Sequence, residues 1–286
     1  GAEREGEDGE EAAPPVQNQI LVTGSRIARR DYTATSPIVT VDATLLEESS
    51  AVNLEANLNR LPQFTPALTQ FVTGDIQANA NNTIGASTVS LRSLGANRNL
   101  VLIDGRRGAP INGSGVIDIN SIPSAAVRRV EVITGGASST YGADAVGGVI
   151  QVFTKAGTAG TTLSAGAGSL GSRDLSFSHS GSLDKLGYGI SVGESASNGI
   201  NVNTNSLASN YNKDADGFRA KNVSAFLTYQ FNEAEAGYRL LASRMFSRFD
   251  SASYDENFGG PYNASADWKN THDVTSNNFW FKNKIS

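Results

Sequence analysis

From residue 160 onward, apolar and polar side chains alternate along the chain. Leu163, Ala165 and Ala167 form one apolar set, Leu175 and Phe177 the next, and Leu186, Tyr188, Ile190 and Val192 a third. Val223, Ala225, Leu227, Tyr229 and Phe231 follow, then Ala236, Tyr238, Leu240 and Ala242, then Phe279, Phe281 and Ile285. A period of two gives a β-strand one apolar and one polar face. The pattern therefore predicts six strands, with Ser, Thr, Gly, Asn, Arg and Lys at the intervening positions. A soluble sandwich alternates in this way, and so does a transmembrane barrel with a wet lumen and a lipid-facing outside. The connections favour the barrel. Turns near 182–185 and 232–235 are short, whereas 195–221 and 249–271 are predicted as long loops. Short turns at one end and long loops at the other characterise outer-membrane barrels. The short link at 169–172 lies on the long-loop side and is an exception.

The first half has a different texture. Residues 1–18 carry Glu3, Glu5, Glu7, Asp8, Glu10 and Glu11 ahead of Pro14-Pro15, and are predicted to be a disordered acidic leader. Ile20, Leu21, Val22, Thr23 and Gly24 then make a short β-prone run. It fits an ordinary first strand, and equally a segment that pairs with another protein's sheet edge. Residues 37–155 are predicted to be a mixed α and β domain. Ile38, Val39 and Val41 suit a strand. Thr44 and Glu47 have capping-box spacing, and Leu54, Leu58 and Leu61 recur at helical spacing before Pro62. Further strands are predicted at 88–92, 99–103, 130–133 and 149–153, with Asp104-Gly105 as a turn. Polar loops are predicted at 65–87 and 106–115; so long a loop as the first is usually functional or disordered.

Composition narrows the chemistry. Hydrophobic residues are 39%, charged residues 18%, and Gly is abundant at 30 residues, a bias toward turns and β-structure. The net charge of −5 argues against a general nucleic-acid binder. The absence of Cys excludes thiol chemistry and disulfides. The two histidines, His179 and His272, have no partner at metal-ligand spacing. No apolar run of about 18 residues occurs, so any membrane span must be made of strands. Gly166, Gly168 and Gly171 spell a dinucleotide-type glycine motif, but the residues after Gly171 alternate at period two instead of opening a helix. No nucleophile and base pattern stands out, so no enzymatic activity is expected. Asp214 and Asp216 in one predicted loop, and Tyr254 and Asp255 in the next, fall at the same end of the strands. Such acids suit calcium, a hard cation that takes oxygen ligands, and equally suit solvated loops.

Three segments carry a family resemblance. LRSLGANRNLVLIDGRR from Leu91, VRRVEVITGG from Val127 and STYGADAVGGVI from Ser139 resemble, in order and spacing, the plug-domain motifs of TonB-dependent outer-membrane receptors. The resemblance implies an α+β plug domain followed by antiparallel transmembrane β-barrel strands, here about six of an expected 22. The corresponding domains are a leader at 1–18, a TonB-box segment and linker at 19–36, a plug at 37–155 and N-terminal barrel strands at 156–286. The remaining strands, about sixteen, are then expected from sequence outside this chain. The resemblance further makes Ile20, Leu21, Val22, Thr23 and Gly24 the TonB box, adding as a strand to the C-terminal domain of TonB. It turns the plug loops toward a ligand, through Thr73, Gln77, Asn79, Asn81, Arg107, Asn112 and Ser114. GGVIQVFTK from Gly147, DADGFRAK from Asp214 and SYDENF from Ser253 are similar to the cobalamin-transporter subgroup, whose paired extracellular loops bind calcium. Asp214, Asp216, Tyr254 and Asp255 match those positions. The plug segments TGGASSTYGADAVGG and LGANRNLVLIDGRR read more like siderophore receptors. The expected function is energised uptake of a cobalamin or a ferric siderophore across the outer membrane. The alternative is a channel or surface-binding β-protein that is not energised.

Overall fold

The computed structural model describes residues 38–42, 46, 53–65, 86–135, 137–155, 159–201, 213–253 and 263–283. Two sheets dominate them. The first comprises β1 (Ile38–Asp42), β4 (Asn99–Ile103), β5 (Arg106–Arg107), β6 (Val127–Thr134) and β7 (Gly148–Thr154), in the spatial order β1-β6-β7-β4-β5. β4 and β7 run parallel and the other pairs antiparallel. β4, β6 and β7 are buried along nearly their whole length, as strands covered on both faces must be. A small antiparallel ladder joins β2 (Phe64–Thr65) to β3 (Ser90–Leu91).

Helix α1 (Leu54–Leu58) begins where Asn53 caps it, its side chain accepting from the Ala56 N–H at 2.9 Å. Leu54 and Leu58 are fully buried against Val130, Val132 and Val152, and Leu61 packs on the same cluster from the turn beyond. The leucine spacing thus marks one buried face, but the helix itself ends at Leu58. A second short helix, α2 (Ser138–Tyr141), precedes β7. The strand predicted at 88–92 contracts to β3, and 106–107 leaves its predicted loop to form β5.

The second sheet is a six-stranded meander, β8 (Gly160–Ala167), β9 (Arg173–Leu183), β10 (Leu186–Ile200), β11 (Asp216–Gln230), β12 (Ala234–Ser253) and β13 (Asn263–Asn283). Each strand pairs antiparallel with its neighbour in sequence. Its two faces are settled by contact. Leu241 is only 6% exposed and belongs to the core of the inner domain. Leu163, Leu175, Leu227, Phe279 and Phe281 are each more than half exposed, on the opposite face. The apolar set predicted from period two is therefore the outer face of a wall that curves past the five-stranded domain.

Strand ends differ from the prediction. β10 runs on to Ile200, β12 to Ser253, and β13 starts at Asn263, so the links shrink to 201–215 and 254–262. The ladder extends past the apolar residues because backbone pairing does not need lipid outside it. Asp216, expected in a loop, is the first residue of β11 and is buried opposite Ile200.

Candidate functional site: the seam between inner domain and wall

The seam starts at a turn. Asp104 and Gly105 link β4 to β5 with φ of 47° and 80°. Two successive left-handed residues make the tight hairpin turn for which Asp-Gly is favoured. The turn holds the Asp104 carboxylate against its own sheet. Oδ1 accepts from the Thr154 N–H at 3.0 Å and Oδ2 from the Thr154 hydroxyl at 2.9 Å. The third partner comes from the wall: Arg239, on the inner face of β12, forms an ion pair with Oδ2. The Arg239 side chain is 5% exposed and that of Asp104 23%. Charges placed so deep are tolerated when paired and hydrogen-bonded.

Aromatic packing surrounds this pair. The guanidinium carbons of Arg239 and Arg106 lie 5.5 and 5.9 Å from the centroid of the Trp280 ring. Trp280 donates its indole N–H to Glu235 Oε1 at 2.8 Å. The ring lies directly over Gly237, where any Cβ would overlap it. Glycine is needed there for close approach. Deeper in the inner domain, Arg129 donates through Nε to Glu131 at 2.8 Å and lies 3.7 Å from the Phe153 ring centroid. Glu131 is completely buried.

Two other carboxylates are buried in the inner domain. Glu55 and Asp118 are 3% and 1% exposed, and Asn120 bridges them. The Glu55 N–H donates to Asn120 Oδ1 at 3.4 Å, and the Asn120 N–H donates to Asp118 Oδ1 at 2.9 Å. Burial pushes Glu55 up to about 7, against the lowering effect of the Asn59 amide. Burial likewise pushes Asp118 up to about 7; backbone donors of Asn120 and Ser87 oppose it and the Glu55 charge adds to it. Water exclusion penalises the ionised form, so this pair holds protons close to neutral pH.

The predicted ligand-facing residues are partly described. Arg107 lies on β5 and pairs with Asp144, both being exposed. Asn112 shapes its own loop, accepting from the N–H groups of Ser114 at 3.0 Å and Val116 at 3.2 Å. Ser114 is exposed beside it. Asp214 and Asp216 come together at one end of β11, and Asp214 Oδ1 is buried without a hydrogen-bond partner. No group of three or more His, Cys, Asp or Glu able to hold a metal occurs among the described residues. Tyr254 and Asp255, Thr73, Gln77, Asn79 and Asn81, the run from Ile20 to Gly24, and the Thr44 and Glu47 capping spacing lie outside the described residues. Sequence reasoning passed over Asp104 as a charge, and Arg239, Trp280, Glu55 and Asp118 altogether. The one available signal was Arg239 itself, a charge at an inner position flanked by Tyr238, Leu240 and Leu241.

Comparison with known proteins agrees with this architecture. Residues 30–149 match the TonB-dependent receptor plug domain model. Over 228 residues the chain is 31% identical to the vitamin B12 transporter BtuB of Vibrio cholerae serotype O1, covering 78% of this chain and 34% of that protein. The chain thus spans about a third of the length of the curated relatives it matches. The siderophore receptor PirA of Acinetobacter baumannii superposes with a TM-score of 0.64 at 20% identity, over 87% of this chain and 38% of that one. The ferric yersiniabactin uptake receptor FyuA of Yersinia pestis superposes with a TM-score of 0.61 at 20% identity, over 89% and 39%.

Proposed function

Because the chain belongs to the TonB-dependent outer-membrane receptors and carries their plug domain, we propose that it serves the energised uptake of a large, scarce ligand, with the plug as the gate. The observation that carries this reading is the seam. The inner domain is fastened to the wall by the Asp104–Arg239 pair and shares its core with Leu241, an attachment that supports a gating role. The ligand is of the cobalamin or ferric-siderophore class. Identity to the vitamin B12 transporter supports the first, and the plug segments resembling siderophore receptors support the second. The plug loops meet it through Thr73, Gln77, Asn79, Asn81, Arg107, Asn112 and Ser114.

TonB engages Ile20, Leu21, Val22, Thr23 and Gly24 by strand addition, main chain to main chain. Leu21→Pro removes one N–H donor from that strand. Capture of the receptor by the TonB C-terminal domain should be lost in this variant. Equal capture of variant and wild type would show that the box lies elsewhere; capture of neither would favour a receptor that is not energised. Uptake by cells carrying the full-length receptor, with cyanocobalamin and ferric enterobactin offered separately, assigns the ligand.

Calcium is proposed to join the two loop ends through Asp214, Asp216, Tyr254 and Asp255. The donor set is chemically suitable, and a buried Asp214 oxygen without a hydrogen-bond donor fits a cation as its partner. Its effect would be to tie 201–215 to 254–262 and so order the ligand-facing end.

A further inference from the structure

The sequence contains two Asn-Gly pairs, Asn112-Gly113 and Asn198-Gly199. In such a pair the glycine nitrogen is the backbone nucleophile best able to reach the side-chain amide before it, because no Cβ crowds it. The fold places the two pairs in opposite settings. Asn198-Gly199 lies near the end of β10. The Gly199 N–H donates to Ser197 Oγ at 3.1 Å, and any Cβ at Gly199 would overlap the Asp216 carbonyl. Gly199 is buried, so its nitrogen is both occupied and locked in place.

Asn112-Gly113 forms part of a turn in an exposed loop. The Ile111 N–H donates to the Val116 carbonyl at 2.9 Å and the Gly115 N–H to the Asn112 carbonyl at 3.2 Å, so 111–116 close as a small hairpin. Gly113 is exposed, and its N–H has no hydrogen-bond partner among the described residues. The Asn112 side chain folds back over the turn. Its Oδ1 accepts from the Ser114 N–H at 3.0 Å and the Val116 N–H at 3.2 Å. The ring closed by the Ser114 bond contains both the amide carbon Cγ and the Gly113 nitrogen, which holds the two as neighbours. Two N–H donors on one carbonyl oxygen are the arrangement that stabilises negative charge when a nucleophile adds to that carbonyl.

We infer that Asn112 is a self-modification site, at which the turn promotes cyclisation with Gly113 and conversion to aspartate and isoaspartate. The Gly113 nitrogen gives its proton to solvent base and bonds to Asn112 Cγ. The oxyanion that develops on Oδ1 rests on the Ser114 and Val116 N–H groups. The Cγ–Nδ2 bond then breaks, and Nδ2 takes a proton from solvent and leaves as ammonia. Water opens the resulting five-membered imide at one of its two carbonyls. Cleavage of the new bond restores the main chain with an aspartate side chain. Cleavage of the original peptide bond routes the main chain through the side-chain carbon as isoaspartate. No oxidant or reductant takes part. The aspartate keeps the turn, since its oxygen accepts the same two N–H groups with a full charge. The isoaspartate lengthens the main chain by one carbon and shifts the 111–116 pairing. Either product puts a new negative charge in a loop proposed to face the ligand. That consequence rests on the uptake reading; the chemistry does not.

The test incubates the full-length receptor in detergent over a range of mildly alkaline pH, then digests it. Positions 112 and 198 are scored by fragmentation mass spectrometry for exchange of amide to acid and for isoaspartate. In the folded receptor, conversion at Asn112 should exceed that at Asn198 severalfold and should accelerate as pH rises. After unfolding in denaturant the two rates should converge. Gly113→Ala should slow conversion at Asn112 severalfold. A Cβ there meets nothing within 4 Å and needs no left-handed φ, so the variant keeps its fold while crowding the attacking nitrogen. Equal conversion at both positions in the folded receptor, conversion at Asn112 only after unfolding, or an unchanged rate in Gly113→Ala would each overturn the inference. Asn112→Asp, which installs one product directly, reads the consequence for an anionic ligand: uptake of ferric enterobactin should fall severalfold, and unchanged uptake would overturn that consequence.

Discussion

The Asp104–Arg239 pair offers an asymmetric test of how the plug is held. Removing Arg239 leaves Asp104 with both Thr154 donors, 3.0 and 2.9 Å away, and with about a quarter of its side chain in water. Removing Asp104 leaves a guanidinium only 5% exposed, whose Nε already lacks a partner, and also orphans the Thr154 hydroxyl. Breaking a buried pair from one side costs about 3–5 kcal/mol. Arg239→Met should therefore fall at the low end, about 3 kcal/mol, because Met refills the stem and Asp104 stays solvated and bonded. Asp104→Ala should fall at the high end, about 5 kcal/mol. The double variant should be less damaged than Asp104→Ala alone, because no unpaired charge remains. Plug unfolding is read by hydrogen exchange across β4 and β5 in the detergent-solubilised receptor, with denaturant as the variable. Equal effects of the two single variants, or a double variant as damaged as Asp104→Ala, would falsify the assignment of the pair as a buried plug-to-wall fastening.

Other expectations arise from the same structure. Glu55 and Asp118 have their folded-state values raised from 4.5 and 3.8 to about 7, so between about pH 4 and 7 the folded plug binds more protons than the unfolded chain. Plug stability should then fall as pH rises through that window, by an amount on the order of 3 kcal/mol for Glu55, and level off above it; Glu55→Gln should flatten the profile. Gly237→Ala should force the Trp280 ring off its seat, costing about 1–3 kcal/mol and shifting the indole fluorescence. Unchanged emission and melting temperature would show that the ring has room to move. Calcium at millimolar concentration should protect 201–215 and 254–262 from protease, and Asp214→Asn should remove the protection.

Much of the fold was legible because two of its signals are local. Period two in Leu186, Tyr188, Ile190 and Val192 fixes both the strand and its lipid-facing side, and Asp104-Gly105 fixes a hairpin turn. Strand ends were illegible for a physical reason. Beyond the apolar rows the outer face meets polar surroundings, so β13 carries Asn, Thr, Asp and Lys where a membrane strand would show Leu or Val. Its strand character there comes from the ladder with β12, residue by residue from Arg244 opposite Asp273 to Ser251 opposite Ala266, and not from its own side chains. The same holds for Asp216, whose position depends on Ile200 across the sheet. The seam was hidden because each half is ordinary in its own segment. Asp104 reads as a turn former and Arg239 as a polar inner residue until the wall brings them together.

The position of β1 decides how tension would travel through the plug. β1 is an edge strand, joined only to β6 by five residue pairs from Ile38 to Asp42, and of its side chains only Val41 is buried. A pull arriving from the N-terminal side meets this strand first. It can peel from β6 while the β6–β7–β4 ladder, buried along nearly its whole length behind it, keeps its register. A force applied from the N-terminal side would thus act first on an edge ladder held by one neighbour alone. Partial unravelling from that edge, with the Asp104 anchor still in place, would then be the first response of a stretched chain.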